Sequence, residues 1–167
     1  MNNNGVLIFF CGKMGAGKSS MSVSEAREKN AVLLSEDNCL SQLYPDQINT
    51  FEDYIRLSRQ IRPLVKELVK NILRTGTSVV MDFPANTVSQ RDWFLSLCEE
   101  SDSEHEMIYL EVSNEVCLKH LSTRRKEQPE RSDFDTEEVF FHVTQYFEAP
   151  GDNEYLNIRK IEVRSQK

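Results

Sequence analysis

The stretch Gly12-Lys13-Met14-Gly15-Ala16-Gly17-Lys18-Ser19 decides the reading of this chain. It fits the pattern G-x-x-x-x-G-K-[ST] at every fixed position. Glycines let a backbone wrap closely around a phosphate and turn its N–H groups inward. A lysine at the seventh position reaches the β- and γ-phosphates, and the following hydroxyl joins a magnesium shell. The setting agrees with the pattern. Val6–Cys11 is a short apolar run, expected as a buried strand, and a helix is expected from about Lys18 to Lys29. The positive end of that helix would face the same anion. Gly12, Lys13, Met14, Gly15, Ala16, Gly17, Lys18, Ser19 and Ser20 are therefore the expected nucleotide-binding residues, with Lys18 catalytic and Ser19 on the metal.

Outward from the loop, short apolar strands alternate with helical stretches. Ala31–Leu34, Thr77–Met81, His105–Val112 and Leu156–Val163 read as strands. A long helix is expected from Thr50 to about Arg74, its apolar residues recurring at three-to-four spacing and Gly76 closing it. Pro63 predicts a kink there, or a break into two helices. Shorter helices are expected at Asn38–Leu43, around Ser89–Glu99, from an Asn114 cap to Lys126, and from an Asp135 cap to Phe147. Strands alternating with helices imply a parallel sheet covered on both faces, within one domain spanning 1–167.

Phosphoryl transfer needs an acceptor base, a group on the metal and positive charge on the transferring oxygens. Glu36 and Asp37 follow the second strand, where ligands of open α/β sheets bind, and Asp37 is the favoured base. Asp82 ends the strand Ser78-Val79-Val80-Met81-Asp82 and is the expected metal residue. Arg124, Arg125 and Arg131 lie in or beside a polar segment, 124–135, suited to a lid closing over the triphosphate. Asn86 and Arg91 are candidates for the acceptor side from the rim of the sheet. The segment 38–76 is expected to build the acceptor lobe, and Tyr146–Pro150 to flank the nucleotide base.

The bulk properties narrow the class. The net charge of −7 argues against a long nucleic-acid partner, which a basic groove would have to rescue. No apolar run approaches about 18 residues, so no membrane span is expected, and the protein reads as cytoplasmic. The four cysteines form no C-x-x-C pair, which disfavours zinc and a disulfide framework. Cys11, Cys98 and Cys117 read as core, and Cys39 as a candidate reactive thiol beside Asp37. The absence of N-K-x-D favours ATP over GTP. The expected cofactors are ATP and Mg2+, and the expected partner is a small-molecule or nucleotide acceptor. The sequence names neither that acceptor nor an oligomeric state.

These motifs, in this order, resemble the P-loop kinases, especially nucleoside-monophosphate-kinase-like enzymes. They are most similar to a broad bacterial group of kinases and ATP-binding proteins related to zeta toxins, chloramphenicol phosphotransferase and the phage polynucleotide kinase domain. The likeness is carried by Gly12–Ser19, Ser35-Glu36-Asp37 with Leu43-Tyr44-Pro45, Asp82-Phe83-Pro84-Ala85-Asn86-Thr87 with Gln90-Arg91, and Glu115–Leu118 leading to Arg124. It departs at Lys13-Met14, where many members carry proline and small residues, and at the acid-rich lid. The resemblance implies a three-layer α/β sandwich with a five-stranded parallel sheet in the order 2-3-1-4-5, and the acidic residue after the second strand, here Asp37, as base. It implies phosphoryl transfer from Mg-ATP to a hydroxyl or phosphate. A polynucleotide 5′-hydroxyl kinase and a regulatory ATP-binding protein without an acceptor are the alternatives.

Overall fold

The structure, a computed structural model, describes residues 2–164. Its centre is β1 (Leu7–Cys11), five residues with no exposure above 1%. A strand buried on both faces needs apolar residues at every position, and LIFFC supplies them. β2 (Val32–Ser35), β3 (Val79–Pro84), β4 (His105–Val112) and β5 (Ile158–Val163) join it in one parallel sheet of order β2-β3-β1-β4-β5. This is the order the family resemblance implies, with the layering expected from the alternation of strands and helices.

Alternate residues of β1 feed opposite cores. Leu7, Phe9 and Cys11 pack with Val79 and Met81 beneath α3 (Phe51–Arg74) and α4 (Val88–Ser101). Phe9 and Phe94 stack there with ring centroids 4.4 Å apart. Ile8 and Phe10 pack with Val80, Ile108 and Leu110 on the other face. That core is covered by α1 (Lys18–Glu28), α5 (Asn114–Glu127) and α6 (Glu137–Thr144), through Ala26, Cys117, Leu121 and Phe140. A further helix, α2 (Glu36–Leu43), follows β2 directly. No helix among the described residues is long and apolar enough to cross a membrane.

Several boundaries differ from expectation for visible reasons. α3 runs unbroken for 24 residues through Pro63. Proline costs a helix interior about 3 kcal/mol and leaves the Arg59 carbonyl without its usual donor. Pro63 is exposed, however, while Ile61 and Val65 on either side are buried, so packing holds the helix across it. Its start is sharp because Thr50 and Asp53 form a capping box. β3 continues past Asp82 to Pro84, carrying Asp82 inside the strand rather than at its end. Ser113, not Asn114, caps α5, and Thr136, not Asp135, caps α6. The freed Asp135 has another use.

Candidate active site

The loop after β1 takes a shape that only its glycines permit. Gly15 and Gly17 have φ of 78° and 103°. A Cβ on Gly15 would lie 2.7 Å from the Cys117 carbonyl oxygen, so α5 presses directly on the loop. Three further contacts fix it. The Gly12 N–H donates to Asn86 Oδ1 at 2.9 Å. His120 Nδ1–H donates to the Gly15 carbonyl at 2.7 Å. Lys13 Nζ donates to Asn114 Oδ1 at 2.9 Å and sits 5.9 Å from the centroid of the Phe147 ring. Met14 and Ala16 turn into the core beneath α5. Gly17 precedes α1, whose first residues Lys18, Ser19 and Ser20 begin the helix at the mouth of the loop.

Lys18 is half-buried, and its ammonium donates to the carbonyls of Gly12 and Lys13. Burial lowers its pKa, and nearby Asp82 works in the opposite direction. The Ser19 side chain lies close enough to Asp82 to favour its charged form, yet burial and the neighbouring Asp37 raise the Asp82 pKa overall. A carboxylate so placed gains from a divalent cation, so Ser19 and Asp82 fit a magnesium site. Among the described residues no group of three His, Cys, Asp or Glu gathers for a metal. Magnesium suits such a sparse site, because it keeps waters and takes substrate phosphate oxygens.

The sheet register brings the second carboxylate in. Ser35 of β2 pairs with Asp82 of β3. Ser35 then caps α2, so Glu36 and Asp37 turn at the edge of the site. They point differently. Asp37 is exposed. Glu36 is buried, its two carboxylate oxygens accepting from the Tyr54 hydroxyl and, at 2.7 Å, from Ser58 Oγ. Burial raises its pKa against those hydrogen bonds. Glu36 therefore ties α2 to α3, while Asp37 faces solvent.

The remaining candidates are committed within the protein. Arg91 lies off the rim, with no exposure, ion-paired to Glu154 at 2.8 Å and donating to the Ala85 carbonyl at 3.0 Å. Asn86 belongs to the loop's support through Gly12. The three lid arginines converge on Asp135, which is fully buried. Arg124 grips its carboxylate through two bonds of 2.6 Å, Arg131 reaches it at 3.1 Å, and Arg125 donates to its backbone oxygen at 2.5 Å. Arg124 still lies near enough to Lys18 to lower that residue's pKa. Of the cysteines, Cys11 is pushed up to about 11 mainly by burial, and Cys39 is also raised, by burial and by Glu36. Both influences work against an activated thiol at Cys39.

The AAA_33 family, an AAA domain, matches residues 7–150, which contain the phosphate loop, Asp37, Asp82 and the three lid arginines. The chain belongs to that family. AAA_33 is a kinase-like member of the P-loop NTPases, as the resemblance in the sequence implied. No curated protein matches the AAA_33 chain in sequence. Solved structures match it in fold. A Chloroflexus aurantiacus protein provisionally assigned as a kinase superposes with a TM-score of 0.73 at 17% identity, covering 95% of this chain and 88% of its own. An APS kinase from Mycobacterium tuberculosis, in complex with AMPPNP and APS, gives 0.66 at 16% identity, with 95% and 88% covered. A sugar kinase from a Janibacter species gives 0.63 at 16%, with 95% and 85% covered. At these identities the likeness establishes the fold.

Asp135, His120, Asn114, Tyr54, Ser58 and Glu154 support the candidate site, a role the sequence did not assign to them. Only Asp135 carried a local signal, its i,i+4 spacing from Arg131.

Proposed function

We propose that this protein is a kinase that moves the γ-phosphoryl group of Mg-ATP to a hydroxyl or phosphate of a small acceptor. The observation that carries the reading is the Ser35–Asp82 register, which brings Asp37 and Asp82 to one edge of the sheet, with Asp82 beside Lys18 and Ser19. Lys18 would exchange its carbonyl partners for the β- and γ-phosphates. Ser19 and Asp82 would hold magnesium, whose charge offsets that of the triphosphate when bound. Asp37 takes the proton of an acceptor hydroxyl as its oxygen bonds to the γ-phosphorus and the bond to ADP breaks. Arg124 lies near Lys18, at the border of the same space. In this reading residues 1–167 form one domain, with 38–76 on the acceptor side and 124–135 as a lid, working in the ATP-containing cytoplasm. The APS and sugar kinases that share the fold support a small acceptor.

The test is ATP turnover by the purified protein with magnesium, against nucleosides, nucleotides, sugars, aminoglycosides and 5′-hydroxyl oligonucleotides. Stimulation by one class is expected, lost in Lys18→Ala. Asp37→Asn should keep ATP affinity and lose transfer. Tight ATP binding with turnover that no acceptor stimulates would reject the kinase reading.

A further inference from the structure

We infer that β5 is a docking edge for a second copy of this chain, the two strands pairing antiparallel about a two-fold axis at Ile161 so that a single sheet runs through both copies.

β5 stands at the end of the sheet, bonded on one side to β4. Five of its six residues are exposed, whereas β2 at the opposite end is mostly half-buried. An edge strand presents a row of unpaired N–H and C=O groups, and proteins blunt such an edge by shortness, proline, a bulge or charge. β5 is six residues long, contains no proline and keeps an unbroken register with β4, from Met107 opposite Ile158 to Val112 opposite Val163. That leaves charge, and the charges of β5 are placed to attract a copy of themselves.

The hydrogen bonds fix which residues face outward. Met107 N–H donates to the Asn157 carbonyl at 2.8 Å and Ser113 N–H to the Val163 carbonyl at 3.2 Å, so the odd-numbered residues turn their backbone groups toward β4. The backbone groups of 158, 160 and 162 then point away from the sheet, and a partner strand meets those. An antiparallel partner uses them only in registers that set even-numbered residues opposite one another. Centred on Lys160, the pairing opposes two ammoniums, and centred on Glu162 it opposes two carboxylates. Centred on Ile161, each Lys160 faces a Glu162 of the other copy, twice over. The strand's own charges thus select one register.

The apolar residues agree with it. Ile158 and Val163 are each 40% exposed. In this register Ile158 lies opposite the stem of Arg164, just past the strand, and Val163 opposite the stem of Arg159. The two half-buried Ile161 side chains meet at the axis, on the face covered by α5. Within one copy Lys160 pairs with Glu111 at 2.6 Å, and Glu162 with Arg164. Both are surface pairs, so exchanging them for pairs across the axis costs little. The phosphate loop follows the carboxyl end of β1, and antiparallel pairing turns the partner's loop to the opposite edge of the joint sheet. Each copy therefore keeps a complete nucleotide site, and the inference does not depend on the kinase reading.

Sedimentation equilibrium of the full chain tests it. A reversible dimer is expected with a Kd of roughly 10 μM, since one strand pair buries a modest area. K160E and E162K should each weaken it about tenfold, because each sets like charges opposite one another twice. Mixed in equal parts, the two variants should dimerise as well as the wild type, since one chain then presents two carboxylates and the other two ammoniums at the facing positions. The double variant K160E/E162K should dimerise alone for the same reason. A misfolded chain is not rescued by mixing, so the mixture separates loss of pairing from loss of structure. A wild type that stays monomeric up to about 200 μM would overturn the inference. So would a dimer that K160E leaves unchanged, or one that the mixture fails to restore.

Discussion

Replacing Asp135 by asparagine isolates the lid knot. The carboxylate is fully buried and accepts three guanidinium hydrogen bonds, two of 2.6 Å from Arg124 and one of 3.1 Å from Arg131. Asparagine keeps one acceptor oxygen and turns an NH2 toward a guanidinium, so at least one charge-assisted bond and both ion pairs are lost. Removing one partner of a fully buried pair costs about 3–5 kcal/mol. Here Arg124 and Arg131 are 31% and 32% exposed, so water recovers part of the loss. The net cost should be about 2–3 kcal/mol, or a Tm fall of about 4–12 °C for a chain of this length. The pH dependence has a definite sign. Burial alone would raise the Asp135 pKa, but the hydrogen bonds and charges of Arg124 and Arg131 outweigh it and hold the carboxyl below the ordinary 3.8. A lowered folded value stabilises the protein above the unfolded pKa and is lost as pH falls through the folded one. Thermal unfolding by circular dichroism should therefore show a constant gap between wild type and D135N from roughly pH 8 to 5, closing below about 4. A fall under about 2 °C at neutral pH, or a gap that persists undiminished in acid, would refute the reasoning.

Gly15→Ala should leave a folded protein with nucleotide affinity at least about tenfold weaker by calorimetry, because φ of 78° and the Cys117 carbonyl both oppose a Cβ; unchanged affinity would mean the loop relaxes freely. Glu36→Gln should gain stability over wild type as pH rises from about 4.5 towards neutrality. A raised folded pKa contributes stability below the unfolded value and loses it on passing through the folded one, and glutamine never makes that transition; denaturant midpoints at two pH values check it, and a constant difference would contradict it. Arg91→Met should cost about 3–5 kcal/mol in urea unfolding by stranding the Glu154 carboxylate, which is 8% exposed. A loss under about 1 kcal/mol would show that Glu154 finds another partner or water.

The core of the fold was legible because each signal was local. A strand without polar residues, a glycine loop and a helix follow one another between Leu7 and Glu28, and their order admits one arrangement. Asp82 and Asp37 stood out as candidates for the same reason, each at or just past the end of an apolar run. What escaped depends on distant partners. The loop's support by Asn86, Asn114 and His120 joins residues 74 to 105 positions apart. Arg91 is instructive, since it shares the helical stripe of Phe94, Cys98 and Ser101, all buried on α4. Its spacing marked it as an inward residue, while its charge suggested the rim. At Pro63 the break that local propensity allows is overruled by the packing of Ile61 and Val65.

The unbroken α3 also acts mechanically. Val69 and Leu73, neither exposed at all, clamp its far end against the sheet, while Phe51 stands at the other end beside a surface groove. From Val69 to Phe51 the rod is roughly 27 Å long. A tilt of about 5° at the clamp therefore sweeps its tip by about 2 Å, the difference between admitting and refusing an added methyl or hydroxyl. The bridges of Lys66 and Lys70 to Glu100 sit near the pivot, outside the groove. In the kinase reading, selectivity for the acceptor would thus be tuned by residues that never touch it, as the gape of a pair of tongs is set at the hinge.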